Sequence, residues 1–462
     1  MTKFYSVYLS SNLQYHFELE KLHKQYGDVV RTGPRELSIA RISPLSQLIT
    51  CRKSSFYSMS DAKRERQGLA FTTDLEDHRK RRRAWDMSLT LQQITKYDAP
   101  MQSMISLLLE RLSAPELVGK PVNIAEWISW LSYDIMGIVG YGKDFGNLRT
   151  GTEHHTVAGM RKAMLGMGTL KPVPWVANFL SHFPGGQGAM GPFSKHAKKL
   201  VEEKRKNLNV KDLDAPNDIV TWLIKAFEEK APYAAHTIEG LDDDSRALVI
   251  GGADTSSATL VIALYYLCTH PHIYTTLQSH VDTVFPGGPS TFTYAPLDSI
   301  PLLEAIITET LRLQPPVPSG QPRVTPPEGL HVPAGKGEEG DLYLPGDVVV
   351  LQPQWLIQRD ERYFERADEF VPERWVAGSK EAAMVKERAA FFPFQIGMYH
   401  CVGKQLAMWE MKSVLARIAL QFDISFAPGE DGKKFQAGIL DTWTLTLPPL
   451  HMCLTERNVA KA

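Results

Sequence analysis

Cysteine is scarce in this chain: four among 462 residues, at positions 51, 268, 401 and 453, with no CxxC and no pairing pattern. That excludes a disulfide framework and a cysteine-rich zinc site, and fits a reducing compartment. Neither sign of charge is in excess, with 51 Lys and Arg against 52 Asp and Glu and a formal net charge of -1. Net charge therefore gives no reason to expect nucleic acid as a partner. A clean transmembrane run is also missing. The best apolar stretch, 248–268, is broken by Asp254 and a group of hydroxyl residues, which is costly in lipid and points to a site instead. The first 22 residues mix Lys, Glu, His and Gln with apolar side chains, unlike a secretory signal. Hydrophobic content of 43% and charged content of 22% are ordinary for a globular protein, so composition leaves the number of domains open.

What is present centres on Phe394-Gln-Ile-Gly397-Met-Tyr-His400-Cys401-Val-Gly403, directly ahead of a helical stretch. A cysteine at a helix N-terminus is favoured as thiolate by the partial positive charge there, and a thiolate is a ready metal ligand. Gly397 and Gly403 would let the backbone turn tightly against a flat ligand, with Phe394 packed beside it. The bland alternative is a buried structural cysteine, a common fate of free thiols.

Upstream, 16–26 has helical spacing and stops at Gly27. The segments 28–32 and 36–40, around Gly33-Pro34, read as a hairpin. The run His78-Arg-Lys-Arg-Arg82-Arg-Ala-Trp85 could pass for a nucleic-acid patch. On a helix, however, only residues three or four apart share a face, so His78 and Arg82 point one way and Arg79 and Arg83 another. The first pair could serve a buried anion, while solvation is the default for Arg79, Lys80 and Arg83. An almost continuously apolar pattern over 121–142 predicts a helix buried in a bundle. Breaks follow at Lys171-Pro-Val-Pro-Trp175 and at 184–188, then a basic helix over 195–207. Trp175, Val176, Phe179, Leu180 and Phe183 stand at helical spacing, for which core packing is the expected explanation. The longest helix is expected over 242–270. Its centre, Gly251-Gly-Ala-Asp254-Thr255-Ser, is unusual, since each glycine costs a helix about 1 kcal/mol relative to alanine.

These motifs, in this order, resemble the cytochrome P450 family: FxxGxxxCxG at Phe394, Gly397, Cys401 and Gly403, the [A/G]Gx[D/E]T pattern at 251–255, Glu309-Thr-Leu-Arg312, and Phe370-Val-Pro-Glu373-Arg374-Trp375. The ExxR spacing alone is weak, for it recurs from Glu76 to Arg79 and from Glu202 to Arg205. The resemblance implies one mainly α domain over 1–462 with a small β region, the P450 fold. It implies heme b (iron protoporphyrin IX) with Cys401 as the iron ligand. His78, Arg82 and Arg323 would contact the propionates. Members commonly carry Arg or His two residues before the cysteine; here that place is Tyr399, which makes His400 the substitute candidate. Asp254 and Thr255 would relay protons, and Glu309, Arg312 and Arg374 would form a buried structural ion network.

The details resemble fungal microsomal members of secondary or xenobiotic metabolism. The implied activity is a monooxygenase inserting one atom of O2 into an apolar small molecule, with electrons from NADPH-cytochrome P450 reductase. A haem-thiolate sensor, or an isomerase or dehydratase, is the alternative. The hairpin over 438–447 is expected to reach the substrate pocket, lined near Phe71, Ala247, 317–320 and 439–440. Peripheral membrane contact through the 175–183 stripe is a second possibility for those residues. The implied location is the cytoplasmic face of the endoplasmic reticulum if an anchor is missing from this chain, and otherwise cytoplasmic.

Overall fold

The computed structural model describes residues 2–58, 68–183 and 190–457, so the predicted break at 184–188 lies outside the described residues. The first predicted helix runs Tyr15–Tyr26 and ends at Gly27, whose φ of 86° suits a residue without Cβ. Val29–Gly33 and Glu36–Ile39 pair antiparallel as the expected hairpin. The hairpin is one edge of a five-stranded sheet that continues through Val349–Leu351 and Arg323–Val324 to Arg52–Lys53. Those last two strands bring segments far apart in sequence side by side.

Helices make up most of the remainder. The long helix spans Ile238–Thr269, beginning four residues before the expected 242 because the Thr237 hydroxyl accepts from Gly240 N and caps it there. It is the one described helix long and apolar enough to cross a membrane, and 72% of its apolar window is buried inside the protein. Its role here is that of a core helix. Gly252 shows how it packs: a Cβ there would lie 2.2 Å from Met136 Sδ. Gly251 meets nothing within 4 Å and leaves open space instead.

The expected helix over 121–142 is divided. Pro121–Asn123 is a strand, claimed by antiparallel pairing with the C-terminal strand His451–Glu456. The helix proper is Ile124–Ile135, followed by a wider π turn at Met136–Gly140. The pattern of apolar residues could not reveal the strand, because its partner is distant in sequence.

Pro174–Ser181 forms a short helix, and the core-packing expectation for its stripe fails. Trp175 is 61% exposed and Phe179 58% exposed, with Leu180 and Phe183 also at the surface. Spacing alone gives the angular relation of side chains on a helix and not which face finds a neighbour. The basic helix runs Met190–Asn207.

The expected network of Glu309, Arg312 and Arg374 forms. Glu309 Oε2 accepts from Arg312 Nε at 2.8 Å, and Oε1 accepts from Arg374 Nε at 3.0 Å. Trp375 Nε1 and Val371 N donate to the same carboxylate, while Arg312 also donates to the carbonyls of Gln358 and Ala367. Glu309 and Arg312 are fully buried, so each charge depends on its partners.

Candidate active site

Residues 397–403 form a short helical turn and then the start of the helix Lys404–Gln421. Gly397 has φ 63°, and a Cβ there would fall 2.5 Å from Ile49 Cδ1, so turn and packing both require glycine. Gly403 differs from expectation: its φ is -85°, and an added Cβ would make an ordinary 3.9 Å contact with Cys401 Sγ. Cys401 N donates to Phe394 O at 2.7 Å, tying the turn together.

Cys401 lines a cavity of about 320 Å³. Burial raises the thiol's pKa, opposed by hydrogen bonds from the amides of Gly403 and Lys404 and by the charge of Arg82. The lining is largely apolar and includes Phe394, Leu248, Ile250, Met136, Leu406 and Val317, with Gly251 and Thr255 from the long helix. Of the expected substrate contacts, Phe71, Ala247 and Val317 line it. Ser319 and Gly320 belong instead to a neighbouring outer cavity of about 710 Å³. Ile439 is in the hydrophobic core, and the hairpin formed by Leu440–Asp441 and Leu445–Thr446 reaches the cavity with its tip, Trp443 and Thr444. Trp443 has φ 102°, a strained conformation for a bulky residue. It lines both cavities and packs near Phe56 and Phe71.

The predicted anion-binding residues converge on the cavity. His78 and Arg82 share one face of the helix Leu75–Ser88, which begins with the Asp74 side chain accepting from Glu76 N and Asp77 N. Burial pushes the His78 imidazole down to about 3, reinforced by Lys53 and Arg82, and its Nδ1 is buried without a hydrogen-bond partner. Arg323 enters from its strand.

His400 is placed otherwise than expected. Its Nδ1 lies 2.7 Å from Gly397 O, which can only accept, and its Nε2 lies 2.7 Å from Arg82 Nη2, which can only donate. The ring is therefore neutral, with its single N–H spent on Gly397. His400 has no donor for an anion of its own, and it orients Arg82, whose Nη1 donates to His400 O at 2.7 Å.

Asp254 and Thr255 part company. Thr255 lines the main cavity, and its Oγ1 donates to Gly251 O at 2.7 Å, which leaves the hydroxyl oxygen free to accept. Asp254 turns to the adjacent helix, where Tyr133 Oη donates to its Oδ1 at 2.5 Å, and it lines a separate small cavity with Arg161 and Glu126. Burial pushes the Asp254 carboxyl up to about 6.

A further acid, one without a motif in the sequence, stands at the cavity. Glu410, on the helix behind Cys401, lines the main cavity fully buried. Ser132 Oγ donates to its Oε1 at 2.7 Å, and burial pushes the group up to about 7. Its only sequence signal was a charge in an apolar helix.

A thiol, a surplus of buried cationic donors with an orphaned His78 Nδ1, and apolar walls fit a flat, iron-containing, dianionic group. Comparison with known proteins agrees. The family model described as Cytochrome P450 matches residues 4–453. The chain is 32% identical over 445 residues to cytochrome P450 monooxygenase FCK2 of Fusarium pseudograminearum, covering 96% of this chain and 77% of that protein. It is 30% identical over 444 residues to tryprostatin B 6-hydroxylase of Aspergillus fumigatus, covering 95% and 76%. The cytochrome P450DA heme domain superposes with a TM-score of 0.75 at 18% identity, covering 96% of this chain and 94% of that one. The chain belongs to the cytochrome P450 family, whose members are haem-thiolate proteins with heme b.

Proposed function

We propose that this P450 inserts one oxygen atom of O2 into an apolar small molecule in fungal secondary or xenobiotic metabolism, using electrons from NADPH passed by a cytochrome P450 reductase. The observation that carries the reading is that the Cys401 thiol and the Thr255 hydroxyl line one largely apolar cavity. Cys401 would ligate the iron, and His78, Arg82 and Arg323 would hold the propionates, with Arg82 steered by His400. When bound, thiolate-ligated haem iron supplies the activation of dioxygen. Thr255 would accept a hydrogen bond from water in the cavity and keep a proton source beside the oxygen. Asp254, held by Tyr133 beside a separate cavity, would connect the relay toward solvent and not act in the main cavity itself. A sensor, or an isomerase or dehydratase, needs no such hydroxyl at the gap left by Gly251, and the relative named as a 6-hydroxylase supports hydroxylation here.

The exposed Trp175, Phe179, Leu180 and Phe183 favour peripheral contact with a bilayer, on the cytoplasmic face of the endoplasmic reticulum or from the cytoplasm. The exposed Arg79 and Lys80 suit an acidic electron donor, although each also faces Glu76.

The test is turnover under isotopically labelled O2 with NADPH and reductase, alongside the spectrum of the reduced carbon-monoxide complex. Label in the product and a thiolate spectrum that Cys401→His abolishes are expected. Product formed without NADPH or O2 would overturn the reading.

A further inference from the structure

Lys53 and Arg323 stand directly opposite each other where Arg52–Lys53 pairs antiparallel with Arg323–Val324. Directly opposed residues leave a sheet on the same face, and like charges so placed repel. Both are buried, 6% and 5% exposed, and both line the cavity of Cys401. Among the described residues neither has a carboxylate within salt-bridge distance. Lys53 Nζ donates to the carbonyls of Leu69 at 3.0 Å and Ala70 at 2.9 Å, which spends two of its three hydrogens on neutral acceptors. Arg323 donates to Gln321 Oε1 at 3.0 Å and to Tyr57 Oη at 3.2 Å.

The acids whose charge reaches Lys53, Asp244 and Asp77, are engaged elsewhere: Arg81 Nη2 donates to Asp244 at 2.6 Å, and Asp77 faces Arg81 and His236. Burial, and then Arg323, hold the Lys53 ammonium well below its usual pKa. Between the two cations and His78 lies Tyr399, its ring 5.4 Å from Lys53 Nζ, 4.2 Å from Arg323 Cζ and 4.8 Å from the His78 ring. Its phenol keeps its proton at neutral pH and so supplies no negative charge. Paired buried cations without an anion are an unstable arrangement unless a ligand brings the anion.

We propose that Lys53 is a haem-propionate anchor, its ammonium acting beside Arg323 on one carboxylate and supplying the positive charge that Tyr399 cannot. This rests on the haem-thiolate assignment. A carboxylate could also come from an acidic substrate, because Lys53 lines the outer cavity as well.

The experiment uses substrate-free ferric holoenzyme in which Lys53 is replaced by Met, Gln or Arg, with Arg52→Met, an exposed neighbour, as control. The readouts are the propionate bending bands in resonance Raman and the rate of haem transfer to excess apomyoglobin. Lys53→Met should move one band and speed transfer about tenfold, Lys53→Arg should return both to within about twofold of wild type, and Arg52→Met should change neither. If Lys53→Met accumulates poorly, Lys53→Gln, which can still donate to Leu69 and Ala70, is read the same way. Unmoved bands in both neutral variants overturn the proposal, whether or not transfer quickens. Unmoved bands together with weakened binding of lauric acid, detected by the haem spectrum, would assign Lys53 to a substrate carboxylate. Failure of the wild type to show a thiolate spectrum would overturn the haem assignment itself, an outcome separate from these.

Discussion

Tyr133 donates its phenolic hydrogen to Asp254 at 2.5 Å, which turns the acid of the long helix away from the cavity that its neighbour Thr255 lines. Adjacent positions on a helix point about 100° apart, so acid and alcohol act on different surroundings. Under the proposed function, Thr255→Ala should keep haem and substrate binding while diverting NADPH to hydrogen peroxide. Asp254→Asn should slow oxygen reduction without that diversion. Wild-type rate and coupling in Thr255→Ala would place proton delivery elsewhere.

Two acids make stability depend on pH. Burial raises Asp254 from 3.8 to about 6 and Glu410 from 4.5 to about 7. The unfolded chain gives up these protons first, so the folded state binds more protons between each pair of values. Stability is then full below the unfolded pKa and falls as pH rises through the folded one, by up to about 1.4 kcal/mol per pH unit for each group. His78 and His16, which burial pushes down to about 3 and about 4, act with the opposite sign below pH 6.5, so the check is a difference: the urea midpoint of wild type relative to Glu410→Gln should fall as pH rises from 4 to 8. An unchanged slope in that variant would contradict the assignment.

Glu309→Gln leaves Arg312 and Arg374 buried without their shared counter-charge, at a cost of about 3–5 kcal/mol. Little holoenzyme should accumulate, and what does should melt well below wild type. A wild-type melting temperature would show that the carbonyls around both arginines suffice.

His400 acts through Arg82, so their substitutions should not add. Haem transfer to apomyoglobin should quicken in His400→Ala and more in Arg82→Ala, and the double variant should match Arg82→Ala alone. Additive rates would give His400 its own contact with the haem.

Exposed Trp175 and Phe179 predict liposome binding that falls in Trp175→Ser with Phe179→Ser while the melting temperature stays within a few degrees. Flotation unchanged by the double substitution would remove the membrane reading.

The motif at 394–403 and the broken centre of the long helix were legible in the sequence because each is local chemistry at fixed spacing. A thiol before a helix and glycines inside one carry their meaning without the rest of the chain, whereas Glu309 and Arg312 took theirs from 370–375 and from the order of the motifs. Periodicity likewise located the helix Tyr15–Tyr26 and the hairpin after it. What only the tertiary structure decided is which surface each side chain meets. Pairing of remote strands set Lys53 against Arg323 and turned Pro121–Asn123 into a strand. A neighbouring helix drew Asp254 to Tyr133, the turn at Gly397 fixed the His400 tautomer, and the orientation of the helix Pro174–Ser181 left Trp175 and Phe179 at the surface. These outcomes depend on contacts between segments tens to hundreds of residues apart, and helical or strand spacing carries no record of them.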